Sequence, residues 1–187
     1  MENNISFGLV DDYSLQFGTA NIRSIFHINK RQQIAITSKD LIKFERDQIV
    51  KQFNFTYFIG CYIEKYDMMA CITQQKSSLT IYMMKDTSYP LLSLFPLEQT
   101  GIFHIFYSPR SSALITIGSG IKVWNFNVEI PSSSILDPKV TITFRSQFLQ
   151  NNYESNLLNL PTFDYNKEIL YLPTNQGIKG YELTGRQ

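Results

Sequence analysis

Two histidines, two cysteines and one serine held between glycines are the side chains of this 187-residue chain with the strongest claim to chemistry. His27 and His104 both sit in the tetrapeptide IFHI, at positions 25–28 and 102–105, 77 residues apart. Imidazole is the commonest metal ligand, but no Cys, His or Asp cluster accompanies either copy. The repeated placement reads instead as a structural histidine bonding a turn. Cys61 and Cys71 fall among apolar neighbours in GCYI and ACIT. A nucleophilic thiol needs a basic partner and an orienting group, and neither is visible, so both read as packed core thiols. Ser119 lies in GSG, but a nucleophile elbow turns from strand into helix, whereas here strand follows strand. Asp11, Asp12 and Asp137 lack the alternating oxygen ligands of a calcium loop, and no Gly-rich phosphate loop precedes a helix. The sequence therefore offers no catalytic, cofactor-binding or metal-ligating residue, and the chain does not read as an enzyme.

What such side chains can do depends on the elements that carry them, and composition points to strands. Hydrophobic residues make up 43% and charged residues 18%, the proportions of a folded globular chain. Aromatics reach 14%, with 14 Phe and 11 Tyr, side chains that fit a pleated, half-buried surface. The formal net charge is +1 and the Lys and Arg residues are scattered. That excludes the concentrated basic face required by nucleic acid or an anionic membrane. Two cysteines make no disulfide framework. The start, MENNISFGLVDDYS, is polar and acidic, unlike a secretory signal, and the apolar runs are too short to span a bilayer. An intracellular protein without membrane insertion is expected.

One plan recurs along the chain. In LITIGSGIKVWNF (114–126) an apolar strand meets a Gly-Ser-Gly turn, read as tight because glycine tolerates positive φ, and a second strand ending on Trp124. The same plan appears in IAITSKDLIKF (34–44), MACITQQKSSLTIYM (69–83) and ILYLPTNQGIKGYEL (169–183). The closing aromatics are Phe44, Tyr82, Trp124 and Tyr181, at separations of 38, 42 and 57 residues. The first two approach the period of about 40–45 residues of four-stranded propeller blades. Preceding turns NKRQQ, EKYDM, SPRSSA and DYNKE define an inner hairpin in each unit. Outer strands are expected at QIVKQFNF (48–55) and TITFRSQF (141–148). The surplus in the third interval is assigned to NVEIPSSSILDPK (127–139), a Pro- and Ser-rich loop read as a solvated connector or a binding insertion. The twin IFHI serves as a second register marker, with IGCYI (59–63) at the matching place between the two copies.

With GIKVWNF in place, FHIFYSPRSSALITIGSGIKVWNFN resembles the WD-repeat family over roughly residues 20–185. The repeats are degenerate: the Gly-His dipeptide is missing and Asn125, not Asp, follows Trp124. The family's Asp–His–Ser/Thr–Trp hydrogen-bond network is therefore not expected in its usual form. Within the family, YFIGCYIEKYDMMACI and ALITIGSGIKVWNF are similar to segments of large ciliary WD-repeat proteins of the axoneme.

The resemblance implies an all-β, WD40-like β-propeller with about four blades visible. Such propellers carry 4–8 blades, so a partial or complemented ring is expected. The division is an N-terminal segment, 1–20, then blades over approximately 21–55, 56–97, 98–149 and 150–187. SLQFGTA (14–20) is a candidate outer strand paired elsewhere in the ring. The implied function is a non-catalytic protein–protein interaction scaffold of a ciliary or flagellar, microtubule-associated complex. Its partners would be other proteins, tubulin or axonemal subunits among them, in cytoplasm, cytoskeleton or axoneme. The alternative is a cytosolic adaptor of a trafficking, ubiquitin-ligase or ribosome-assembly complex. A propeller hydrolase or lectin would need carboxylate pairs or sugar-stacking rings in every blade, and these are not found. Tyr89-Pro90, Phe95-Pro96 and Arg110 are loop candidates for binding, since aromatics and Arg dominate hot spots. Phe95 reads equally well as a plug between blades.

Overall fold

A computed structural model describes residues 21–28, 31–46, 48–54, 57–73, 77–84, 91–132, 138–150, 160–174 and 177–183. Four antiparallel sheets follow one another along the chain, each a meander in which sequential strands are neighbours. The first holds β1 (Ile22–His27), β2 (Gln32–Thr37), β3 (Asp40–Glu45) and β4 (Gln48–Asn54). The second holds β5 (Tyr57–Ile63), β6 (Met68–Thr73), β7 (Ser78–Met83) and β8 (Leu91–Pro96). The third holds β9 (His104–Ser108), β10 (Ala113–Ile117), β11 (Gly120–Glu129) and β12 (Lys139–Gln150). The fourth holds β13 (Thr162–Asp164), β14 (Ile169–Thr174) and β15 (Gly177–Glu182). We call these sheets blades 1 to 4. The architecture is all-β, a partial β-propeller.

The repeat is one of register. The second hairpin of each blade opens on the pairs Ile36 with Leu41, Ile72 with Leu79, Ile117 with Ile121, and Pro173 with Ile178. Three residues further on stand Phe44, Tyr82, Trp124 and Tyr181, so the closing aromatics are structural equivalents. Two residues beyond each aromatic, a backbone amide returns to the inner turn. Arg46 N donates to Arg31 O at 3.0 Å, Met84 N to Asp67 O at 2.8 Å, Phe126 N to Ser112 O at 2.8 Å, and Leu183 N to Glu168 O at 3.0 Å. In the last three blades the accepting residue is left-handed, with φ of 50° at Asp67, 47° at Ser112 and 54° at Glu168.

Strand alternation gives each blade two apolar faces, and the cores lie between blades. Ile34, Ile36 and Leu41 of blade 1 meet Met69, Cys71 and Tyr82 of blade 2. Met68, Ala70, Ile72, Leu79 and Ile81 on the opposite face of blade 2 meet Leu114, Trp124 and Phe126 of blade 3. Ile115, Ile117, Ile121 and Val123 then meet Leu170, Leu172 and Phe163 of blade 4. Close approach is enforced at Gly60 on β5, where a Cβ would lie 2.6 Å from Ile36 Cδ1 and 2.8 Å from Ala70 O.

Three expectations change. The two IFHI copies are not equivalent. Phe26 pairs with Ile34 as Phe106 pairs with Ile115, so residues 25–28 match 105–108 and not 102–105. Second, residues 127–139 are not wholly irregular. β11 continues to Glu129 and β12 starts at Lys139, with Val128 facing Val140 and a 3.9 Å ion pair between Glu129 and Lys139. The long third interval is thus partly taken up by two lengthened strands. Third, Gly118 serves close packing and not a positive φ: a Cβ there would lie 2.7 Å from Thr100 O. Segment 1–20, including SLQFGTA, lies outside the described residues.

Candidate functional site

The inner strands place one residue of each blade in the same row: His27 opposite Gln33, Tyr62 opposite Met69, Tyr107 opposite Leu114 and Phe163 opposite Leu170. At the end where the inner hairpins turn, His27, Tyr62 and Tyr107 converge with Phe26 and Tyr165 around a cavity of 830 Å³. Glu64 and Lys65, in a single 3₁₀ turn after β5, stand at its rim. Every blade contributes to this wall.

Its polar groups are few and in different states. Tyr62 donates to Asp67 Oδ1 at 2.6 Å. Burial, then the Asp67 hydrogen bond, pushes the Tyr62 phenol above its ordinary pKa. Tyr107 is buried, and its hydroxyl makes no hydrogen bond of ordinary geometry. Burial raises its pKa too, a rise opposed by the neighbouring Ser112 side chain. The Lys65 ammonium lies 4.9 Å over the ring of Tyr66. A concave aromatic wall suits an apolar or aromatic group. Among the described residues, no group of three or more His, Cys, Asp or Glu side chains converges as a metal site would require.

Two polar clusters brace blades 3 and 4. In blade 3, Trp124 Nε1 donates to Thr116 Oγ1 at 2.8 Å, and Thr116 Oγ1 donates to Gln99 Oε1 at 2.5 Å. Gln99 Nε2 completes the chain by donating to Gly120 O at 2.8 Å. All of it is buried. The network is therefore built of Trp124, Thr116 and Gln99, with a glutamine amide and no histidine. Ala35, Cys71 and Leu172 occupy Thr116's place in the other blades, so no hydroxyl awaits an indole there.

The second cluster joins blades 3 and 4. Buried Glu168 accepts from Ser108 Oγ and, at 3.0 Å, from Ser111 N. Ser111 Oγ donates to Ser108 Oγ at 2.8 Å. Beside them, Arg110 Nη1 donates to Asn166 O at 2.6 Å. The sequence carried no sign of the Ser108–Glu168 contact, whose partners are 60 residues apart.

The side chains first weighed for chemistry are dispersed. His27 lines the cavity. His104 instead opens β9 between Phe103, 5.4 Å away edge-on, and Phe106, stacked at 6.1 Å, so ring packing and not a turn holds it. Burial lowers its pKa. Cys61 and Cys71 are core residues at 5% and 0% exposure, and burial pushes both thiols well up. Ser119 sits in the β10–β11 turn, its amide donating to Thr100 O at 3.0 Å. Phe95 and Pro96 lie in β8, not in a loop, and Phe95 packs against the core between blades 2 and 3. Arg110 is tied to blade 4. Tyr89-Pro90, Asp11, Asp12 and Asp137 lie outside the described residues.

No family model matches the sequence, and no curated protein matches it either. Solved structures do. The β-propeller domain of Cps50 (Swd1) from Myceliophteria thermophila shares 13% identity at a TM-score of 0.57, over 89% of this chain and 61% of that one. The WD40 domain of SCAP from fission yeast shares 12% identity at a TM-score of 0.65, over 90% of this chain and 40% of that one. The chain therefore has the WD40-type β-propeller fold, and it spans less than two thirds of either matched chain.

Proposed function

We propose that this chain is a non-catalytic scaffold for protein–protein interaction, built on a partial WD40-type β-propeller. The observation that carries the proposal is the 830 Å³ cavity, walled by aromatic side chains from successive blades. Rigid blades hold that wall, and its chemistry is that of recognition, not turnover. The packed state of Cys61 and Cys71 supports the same view, since a buried, protonated thiol is a poor nucleophile.

Taken further, the reading gives the scaffold a place in a ciliary or flagellar axonemal complex, with tubulin or axonemal subunits as neighbours. Its support is the resemblance of YFIGCYIEKYDMMACI and ALITIGSGIKVWNF to ciliary WD-repeat proteins. Native purification of the tagged protein, with mass spectrometry of what co-purifies, tests both levels. Tubulin and axonemal chains in stoichiometric amount uphold the address. Coat, ligase or ribosome-assembly subunits move the scaffold to another complex. Replacing Tyr165 by Ala should weaken capture about fivefold or more if the cavity is the contact, the level of a moderate hot spot. Unchanged capture removes the cavity from the interface.

A further inference from the structure

The inner-turn end of blade 1 departs from the repeat at two positions at once. In blades 2, 3 and 4 the returning amide belongs to Met84, Phe126 or Leu183 and is accepted by Asp67, Ser112 or Glu168. Met84, Phe126 and Leu183 are buried, and two of the accepting residues turn their side chains inward, Asp67 to Tyr62 at 2.6 Å and Glu168 to Ser111 N at 3.0 Å. In blade 1 the same two positions are Arg46 and Arg31, both exposed. The 3.0 Å bond from Arg46 N to Arg31 O holds their backbones side by side, and Arg46 is left-handed at φ 55°. The two line a cleft of 350 Å³ completed by Glu45, Gln48 and Val50. Glu45 Oε2 accepts from Gln32 Nε2 at 3.2 Å, and Val50 is an exposed apolar wall. From Ile22 to Asn54 the sequence holds seven Lys or Arg against three Asp or Glu, whereas the whole chain carries a net charge of only +1. The cationic surplus of the molecule is therefore concentrated in this blade.

We propose that Arg31 and Arg46 bind a glutamate side chain presented by an extended acidic segment of a protein partner. That the partner is a protein rests on the scaffold reading; the site itself is separate from the aromatic cavity and has the opposite character. Each guanidinium carries five N–H donors in a planar fork, so it grips a carboxylate while keeping another contact. Charge selects the ligand. Two arginines and Glu45 leave the cleft at a formal +1, which one carboxylate neutralises and a dianionic phosphate overshoots. Val50 gives the methylenes of a glutamate an apolar surface, for which a phosphate has no use. Two cations also fall short of the row of phosphate contacts that nucleic acid demands.

The probe is a fluorescein-labelled octapeptide of alternating Val and Glu, titrated with the full chain and followed by fluorescence polarisation. The matching Val–Gln octapeptide is the control. Arg31→Gln/Arg46→Gln should weaken binding of the Val–Glu probe about tenfold or more. Lys39→Gln, exposed in the β2–β3 turn at the far end of the blade, should change it by less than about twofold. Glutamine keeps the backbone bond between positions 46 and 31, so the double variant should keep its melting temperature. In native purification the double variant should capture about tenfold less partner. Unaltered probe affinity in the double variant, an equal loss in Lys39→Gln, equally tight binding of the Val–Gln peptide, displacement by inorganic phosphate as readily as by unlabelled Val–Glu peptide, or undiminished capture would each overturn the proposal and leave the scaffold reading standing. Loss of the probe in the double variant, with no protein co-purifying even with wild type, would uphold the anion site and sink the scaffold reading instead.

Discussion

The Thr116 hydroxyl is the hinge of the blade 3 network, and replacing it by Val is the most informative single change in this molecule. Valine keeps the shape of threonine but neither donates nor accepts. Two buried groups then lose their partner, the Trp124 indole N–H at 2.8 Å and the Gln99 amide oxygen at 2.5 Å. Gln99 keeps its bond to Gly120 O. An orphaned buried polar group costs about 1–3 kcal/mol, and the added methyl returns part of that, so Thr116→Val should cost about 2–4 kcal/mol. For a chain of this size that corresponds to a fall in melting temperature of about 4–16 °C. Urea unfolding followed by tryptophan emission is the natural assay, because Trp124 is the chain's single tryptophan. The double variant Gln99→Leu/Thr116→Val removes acceptor and donor together. It should fall short of the sum of the single changes by about 1–2 kcal/mol. A loss below about 0.5 kcal/mol for Thr116→Val, or strict additivity in the cycle, would refute the argument that these three side chains act as a unit.

Other expectations follow from the same geometry. Glu168→Ala should destabilise by about 2–4 kcal/mol, since it deprives Ser108 Oγ and Ser111 N of their shared acceptor; hydrogen exchange should accelerate first in β13–β15. Tyr107→Phe should be neutral or stabilising by up to about 1 kcal/mol, because the hydroxyl it removes makes no hydrogen bond of ordinary geometry; a loss in urea midpoint would mean that its contact with Ser112 stabilises the fold. His104 has a folded pKa below its unfolded value, so its contribution is complete above the unfolded pKa and is lost as pH falls through the folded one. The urea midpoint should therefore drop as pH falls below about 6.5 in the wild type, and less in His104→Leu. Equal slopes would remove His104 from the account.

What was legible in the sequence was whatever lies within one hairpin. The closing aromatics, the four inner turns and the outer strands β4 and β12 follow from local alternation and turn residues, which act over a few positions. IFHI misled because identical letters do not fix register. Pairing is decided by which face each strand buries, and that aligns 25–28 with IFYS, 105–108. Gln99 was out of reach for another reason. It stands 17 residues before Thr116 and is an amide where the family pattern directs attention to an imidazole. The feature most faithfully repeated, the amide returning to the inner turn, is made by backbone atoms of Arg31, Asp67, Ser112 and Glu168. A main-chain bond leaves side-chain identity free, so blades can share this geometry while their sequences drift apart.

The Ser108–Glu168 contact has a consequence for how the arc comes apart. In a row of stacked sheets each blade is held only by its neighbours, so unfolding proceeds from the weaker end inward. Blade 3 carries the indole network inside and, through Glu168, a polar clasp on blade 4. Blade 1 meets blade 2 through the apolar cluster of Ile34, Ile36 and Leu41 with Met69, Cys71 and Tyr82. Pulled or heated, blades 3 and 4 should therefore open as one unit, and Glu168→Ala should let blade 4 open by itself.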